Sequence, residues 1–329
     1  MFRKIIFKVA AEVQLGKILE RIGKPKHRVT VLCFHRISSE FDSFWQPVYP
    51  ESFRQLLEKL VKDYQFTTFE NANKAIKNSD KPLIILSFDD GYKDFIDEAL
   101  PILKYFDLPS NHNIVTDCAD GNRIIWTQKL NFLFNKLKYS GSFTHEIRLN
   151  DQICIRVKQP FNDWLLLNNQ ILFRLFELSM DERNNCINNF ESYFTKEKLV
   201  YPYRMMNWDD INQLCNHQVE IGSHTITHDT LPSIKSEDRL NNEILKSKQI
   251  VEEKTGKACK VFSLPNGQTT KAINDKIRNA GYDFILDLRA GGNNTFSQGM
   301  PVVVNRLNMN PEPVSMMQLR MALYNKGIN

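Results

Sequence analysis

Apolar runs of strand length alternate with stretches of helical spacing through most of the chain, the pattern of βαβ units and a parallel sheet. Residues 28–34 read as the first strand. In 51–64 the residues Phe53, Leu56, Leu57, Leu60 and Val61 recur at i, i+3, i+4, i+7 and i+8, which predicts a helix with one buried face. Residues 83–88 form an apolar run, as expected of a strand buried on both sides. Residues 93–106 read as its crossover helix, bent near Pro101, and 111–116 as a third strand. Further on, Asn207 followed by Asp209 and Asp210 marks a helix start. Residues 219–223, 260–264, 282–286 and 301–307 read as strands, 236–255 as a helix stopped at Gly256, and 271–280 as a helix ended by Gly281.

Two stretches depart from this rhythm. Residues 129–202 hold a helical run at 130–137, then two alternating runs, 145–149 and 152–157, around Asn150-Asp151, a hairpin signal. A strongly apolar helical stretch (163–178) and a capping box, Ser179-Met180-Asp181-Glu182, follow. This block reads as a mainly helical subdomain inserted near the mouth of a site, or as a packing elaboration. Residues 1–27 form an amphipathic segment. Ile5, Ile6, Val9, Val13, Ile18, Leu19 and Ile22 alternate with Lys4, Lys8, Lys17 and Arg21. Such a helix docks on the barrel or on a partner subunit, or lies through residues 1–23 on an anionic membrane face.

The polar residues fall in telling places. His35, Asp89-Asp90 and His224, and Pro265-Asn266-Gly267, each lie just past the carboxyl end of an expected strand. In a parallel barrel those ends share one face, where active sites are built. His224-Thr225-Ile226-Thr227-His228 spaces two imidazoles four apart, which on a helical turn puts both rings on one side. Two imidazoles and a carboxylate make a three-ligand set that leaves a divalent metal one open position. No Glu lies between the histidines to act as base, so the base must come from elsewhere, and Asp89-Asp90 is the expected source.

Ser87-Phe88-Asp89-Asp90-Gly91 resembles the first motif of the polysaccharide deacetylases, the NodB-homology metal-dependent carbohydrate esterases, and His224-Thr225-Ile226-Thr227-His228 resembles their second. The resemblance extends, with departures, over about residues 29–126 and 203–307. It implies a distorted (β/α) barrel, Asp89 as catalytic base, and Asp90, His224 and His228 as ligands of a divalent metal, zinc first. Ser263-Leu264-Pro265-Asn266-Gly267 resembles the third motif, which implies Pro265-Asn266 on the substrate side and the Asn266 N–H as oxyanion donor. Many relatives carry an Arg ahead of that Pro to orient the base. Phe262, Ser263 and Leu264 stand there instead, so Arg306 or Arg289 would substitute. Many also carry a late Leu-x-His that protonates the leaving amine, whereas Asn305-Arg306-Leu307 has no His. Cys33-Phe34-His35-Arg36 resembles the early Tyr-His of the subgroup acting on surface polysaccharides, which makes His35 the candidate acid; a structural His bonded to a loop backbone is the alternative.

Composition narrows the rest. With 329 residues, 42% hydrophobic and 25% charged, the chain is an ordinary globular protein large enough for a sizeable core. A net charge of +5 without a dense basic run gives no case for nucleic acid. The six cysteines contain no Cys-x-x-Cys and read as buried thiols of a reducing compartment. No cleavable signal or membrane span is evident, so the expected location is cytoplasmic, peripheral at the inner membrane face if residues 1–23 bind lipid. Asn293-Asn294-Thr295 matches a glycosylation sequon that carries no weight without secretion. Trp45, Trp126 and Trp208 are candidate sugar platforms or core residues.

The expected activity is removal of an N-acyl group, acetyl first, from an amino sugar of a surface-polysaccharide or glycolipid precursor that is nucleotide-linked, lipid-linked or an oligosaccharide. The alternatives are an O-deacetylase or deformylase on the same site, a catalytically silent sugar-binding module, and a scaffold acting through the N-terminal helix.

Overall fold

Every residue of β1 (Val29–Phe34) is buried, as is every residue of β3 (Leu83–Phe88), with no alternation between faces. A strand with that pattern must lie inside a layered sheet. The computed structural model describes residues 29–120, 123–140, 144–158, 160–194, 199–288 and 303–327, and shows such a sheet. The amphipathic segment 1–27, Arg289 and the 293–295 sequon lie outside the described residues.

The short β2 (Gln65–Phe66) pairs with β3. Then come β4 (Ser110–Ile114), an antiparallel hairpin of β5 (Thr144–Arg148) and β6 (Cys154–Lys158), β7 (Val219–Ser223), β8 (Val261–Ser263), β9 (Phe284–Asp287), β10 (Val303–Asn305) and β11 (Leu307–Asn308). The main sheet runs β10-β9-β8-β7-β4-β3-β1-β11, every pairing parallel. Residues 301–307 were expected as one strand. They are instead two short pieces separated by Arg306, β10 on β9 and β11 on β1. The Arg306 N–H donates to the Asp287 carbonyl at 2.9 Å, and the Met309 N–H to that of Cys33 at 2.8 Å. One broken strand thus links the two ends of the sheet, giving a nearly closed eight-strand barrel. The break is what turns the Arg306 side chain inward.

Helices cover the outside. Pro50–Asp63 buries Phe53, Leu56, Leu57 and Leu60, the face its spacing predicts, and Pro50 at its start gives up an N–H that would have no partner there. Phe53 meets Phe34 edge-on at 5.1 Å, and Phe34 stacks on Phe88 at 5.3 Å. Each such ring contributes roughly 2–3 kcal/mol by leaving water. The barrel interior is different. Ser87, Asn111, Asn113, Ser223, Ser263 and Arg306 are polar and at most 1% exposed. Buried polar groups cost stability unless bonded, so this interior forms a network rather than an oily layer.

Two expected helices are interrupted. The 93–106 segment is a π-turn, Phe95–Ala99, ahead of the helix Leu100–Tyr105; Pro101 lacks the N–H that would continue a regular ladder. The 236–255 segment is Glu237–Asn241, a π-turn Asn242–Lys246 and Ser247–Thr255, ended at Gly256 with φ 65°. π-turns mark functional positions, and the second presents Glu243 to the site.

The inserted block has its own core, in which Leu130, Leu133, Phe134, Ile155, Ile171, Leu175 and Phe190 pack together. It comprises the helices Trp126–Lys138, Trp164–Phe176 and Met180–Ser192 with the β5–β6 hairpin. Ser179 and Glu182 cap the last helix reciprocally, as their spacing predicts. The hairpin connection is longer than a two-residue turn at Asn150-Asp151. The Leu149 N–H reaches the Ile153 carbonyl at 2.8 Å, and Asn150 Oδ1 accepts from the N–H groups of Gln152 and Ile153.

Candidate active site

The carboxyl ends of β1, β3, β7 and β8 bring His35, Asp89, Asp90, His224, His228 and Asn266 to one cavity of about 270 Å³. Four of the six non-glycine residues with positive φ among the described residues are among them or between them: Asp90 (81°), Thr225 (68°), His228 (59°) and Asn266 (56°). That conformation is costly for side-chain-bearing residues, most of all for a β-branched Thr, and persists only where surrounding bonds hold it.

The holding bonds are visible. The spacing of His224-Thr225-Ile226-Thr227-His228 suits a helical turn, but the segment is a loop leaving β7 with both imidazoles buried. Glu243 takes the N–H groups of Ile226 (2.8 Å) and Thr227 (3.0 Å) and the Thr227 hydroxyl (2.7 Å). The His228 N–H donates to Thr225 Oγ1 at 3.0 Å, and Trp126 Nε1 donates to the His228 carbonyl at 3.3 Å. Asp229, 1% exposed, receives Arg183 of the inserted block at 2.7 Å and Arg239 at 2.8 Å, and the Arg183 guanidinium lies 4.5 Å over the Trp126 ring. The insertion therefore buttresses this loop from behind.

This loop brings the two imidazoles together. The Nε2 atoms of His224 and His228 each lie 3.4 Å from Asp90 Oδ1. His224 Nδ1–H donates to the Ser263 carbonyl at 2.8 Å, so its Nε2 lone pair faces Asp90. One ligand atom from each of the three residues lies within 4.8 Å of the others, and all three residues are buried. Asp90 Oδ1 is buried with no hydrogen-bond donor. Burial works against its ionisation, yet the adjacent His224, His228 and His35 rings hold its carboxyl below the usual range. Burial pushes His228 down to about 3, which keeps it a neutral donor, while Asp89 and Asp90 outweigh burial and raise His224. An orphaned carboxylate oxygen facing two ring nitrogens is a place that favours a cation, and the Asp-His-His set fits a divalent metal.

Asp89 is built differently. Arg306 grips it with both arms, Nη1 to Oδ1 at 2.9 Å and Nη2 to Oδ2 at 2.8 Å. Asn113 donates to Oδ1 at 2.8 Å and Ser263 to Oδ2 at 3.0 Å. Burial opposes ionisation, but the Arg306 guanidinium and the His224 ring hold the Asp89 carboxyl well below its ordinary value. Gly222 makes room for Asn113: a Cβ there would stand 2.1 Å from Asn113 Oδ1. Arg306 was expected as a substitute for the Arg that orients the base in many relatives or, with Pro265 and Asn266, on the substrate side; it lies behind Asp89, 1% exposed and outside the cavity lining.

His35 lines the same cavity, half-buried, its ring edge-on to Trp45 at 5.4 Å. The Pro265–Gly267 turn uses the N–H groups of Gly267 and Gln268 for its own bonds to Leu264 and Pro265, and Asn266 Nδ2 ties the turn to Thr230 at 3.1 Å. Of the three tryptophans considered, Trp45 lines the cavity; Trp126 packs in the insertion core and Trp208 bonds Asp120. Asn113, Glu243, Arg183 and Asp229 escaped the sequence reading, and Ser263 entered it only as part of the third motif; of the four, Asn113 alone carried a signal, since Ser110-Asn111-His112-Asn113 is a polar run inside a strand.

Residues 187–285 match the family model described as polysaccharide deacetylase. That segment holds His224, His228 and Pro265–Gly267. No curated protein sequence matches the chain. Among solved structures, the Streptococcus pyogenes deacetylase PplD in complex with acetate is 16% identical, with 89% of this chain and 98% of that one covered at a TM-score of 0.57. IcaB from Ammonifex degensii is 16% identical, with 91% and 98% covered at 0.57. A de-N-acetylase from Aggregatibacter actinomycetemcomitans is 16% identical, with 87% and 96% covered at 0.50. At such identities the likeness is one of fold. Residues 187–285 thus match the polysaccharide deacetylase family model, and the barrel around them has the fold of solved deacetylases.

Proposed function

We propose that this protein is a metal-dependent carbohydrate N-deacetylase, with an acylated amino sugar of a glycan or glycan precursor as substrate. The observation that carries the reading is the buried Asp90-His224-His228 cluster beside an Arg306-held Asp89. A de-N-acetylase among the structural neighbours supports acetyl as the group removed. A divalent ion on the three ligands, zinc by their chemistry, would supply a Lewis acid and a water whose pKa is lowered to about 7.

The chain's own residues do the rest. Asp89 takes the proton of the attacking water; Arg306 and Asn113 fix its direction, and Ser263, its neutral partner on Oδ2, is the bond that yields. As the carbonyl becomes tetrahedral, the Asn266 N–H faces the developing oxyanion. The C–N bond then breaks, and the nitrogen must receive a proton to leave as an amine. His35 lines the cavity and is the side chain proposed to donate it.

Incubating the zinc-loaded protein with N-acetylated and O-acetylated sugars and following the products by mass spectrometry separates this reading from its neighbours. A free amine together with acetate supports it. Acetate released from O-acetyl sugars alone would make the protein an esterase. His35→Ala is expected to lower amide turnover by about 10²–10⁴-fold and to spare an activated ester, whose leaving group needs little protonation. Equal losses on both substrates would reduce His35 to a structural role.

A further inference from the structure

Buried amides occupy one wall of the catalytic cavity where the inserted block could have presented apolar side chains. On the helix Trp126–Lys138, Leu130, Leu133, Phe134 and Leu137 face the insertion core. Gln128 and Asn131, three apart and so on one face, line the cavity instead. On Trp164–Phe176 the i, i+4, i+8 row Asn168, Leu172 and Phe176 does the same. Gln128, Asn131 and Asn168 are 2%, 7% and 1% exposed. They form a relay in which Asn168 Nδ2 donates to Asn131 Oδ1 at 3.3 Å and Asn131 Nδ2 to Gln128 Oε1 at 3.4 Å. An amide carries two N–H donors and an acceptor oxygen, so this relay engages only part of what the three side chains offer.

The cavity lining also includes the aromatic Trp45 and Phe44. Among the described residues, no Lys or Arg lines the cavity. Lys129, next to Gln128 in sequence, lines a different cavity and lies 3.8 Å from Glu191. A smaller adjoining cavity of about 150 Å³ shares His35, Phe44, Trp45 and Asn308. Its one cation, Arg36, is paired with Asp94 at 2.7 Å. Phosphate recognition needs charged donors, whereas hydroxyls and acetamido groups both donate and accept as amides do, and aromatic faces take the apolar face of a sugar ring.

We propose that the inserted subdomain is the substrate-recognition element, and that its amide bank, Gln128, Asn131, Asn168 and Asn169, selects an uncharged glycan over a nucleotide-diphosphate sugar. This deepens the deacetylase reading and rests on it only for the identity of the acyl group.

Titration calorimetry on zinc-loaded Asp89→Asn protein tests binding without turnover, with an N-acetylated chitotriose as the neutral probe and uridine-diphosphate N-acetylglucosamine as the charged one. The neutral probe is expected to bind at least ~10-fold more tightly. Asn131→Leu combined with Asn168→Leu is expected to weaken it by about 10-fold at unchanged zinc content. Asn169→Ala, at a half-buried position outside the relay, is expected to cost roughly 3-fold and decides the matter if the leucine pair does not fold. No binding of the neutral probe, tighter binding of the charged one, or affinities indifferent to these substitutions would overturn the proposal. Binding as expected, with no acetate released from the neutral probe by the unsubstituted zinc-loaded protein, would sink the deacetylase reading and leave the recognition element standing.

Discussion

Asp89→Asn is expected to abolish turnover almost completely, by about 10³–10⁴-fold, while the protein still binds one zinc ion. The side chains are nearly isosteric, and the Asp90, His224 and His228 ligand atoms that converge within 4.8 Å are untouched. What is lost at that position is the capacity to take up a proton, together with the negative charge that pairs with Arg306. Asp90→Asn should do the reverse in order of cause: zinc affinity falls first, and activity follows it and returns in part with excess metal. The contrast is sharp because Asp90 Oδ1 has no hydrogen-bond donor, whereas both oxygens of Asp89 are engaged by protein groups. Zinc titration by calorimetry and kcat for each variant check it. If the two variants lost zinc to the same extent, the division between base and ligand would have to be abandoned.

Arg306→Met is expected to give the largest stability loss of any single substitution at the site, roughly 3–5 kcal/mol. Arg306 and Asp89 are both about 1% exposed, and removing one strands the other as a buried charge. The pH dependence follows from the sign of the shift. Arg306 holds the Asp89 carboxyl well below its ordinary value against the effect of burial. A depressed carboxyl stabilises the fold fully above its unfolded pKa, about 3.9, and that stabilisation is lost only as pH falls through the lower folded value. Without Arg306, burial is opposed by the nearby His224 and His35 rings but no longer by the guanidinium, and the folded value rises, so stability and the acid limb of the rate profile both move to higher pH. Arg306→Lys should recover part of the stability but less of the turnover, because an ammonium cannot hold both carboxylate oxygens as the guanidinium fork does. Urea unfolding of the three proteins at pH 5 and pH 8 checks this; a Met variant within about 1 kcal/mol of the parent at both would show the pair to be dispensable.

Much of this architecture was legible in one dimension. The alternation of apolar runs with helical spacing is local, so 28–34, 51–64, 83–88 and 219–223 lie within a residue or so of observed elements. Strand-end placement sufficed to expect His35, Asp89, Asp90, His224 and Asn266 on one face, because a parallel barrel sets all its carboxyl ends together. The interruptions were not legible. Periodicity reads 236–255 as one helix, since the π-turn that swings Glu243 under the His224–His228 loop is chosen by its bonds to Ile226 and Thr227, not by propensity. The same holds for the loop itself. His-x-x-x-His fits a helical turn in sequence, and only the clamps from Glu243, Trp126 and the Arg183-Asp229-Arg239 cluster make positive φ at Thr225 and His228 tolerable. The sequence by itself determined which candidate site residues stand at which strand ends, because residue identity and hydrophobic period are short-range properties. Only the tertiary structure decided that Arg306 lies behind Asp89 and that amides of the insertion line the cavity, because partners 46 to 217 residues apart, as in Arg183–Asp229 and Arg306–Asp89, meet only once the barrel has closed.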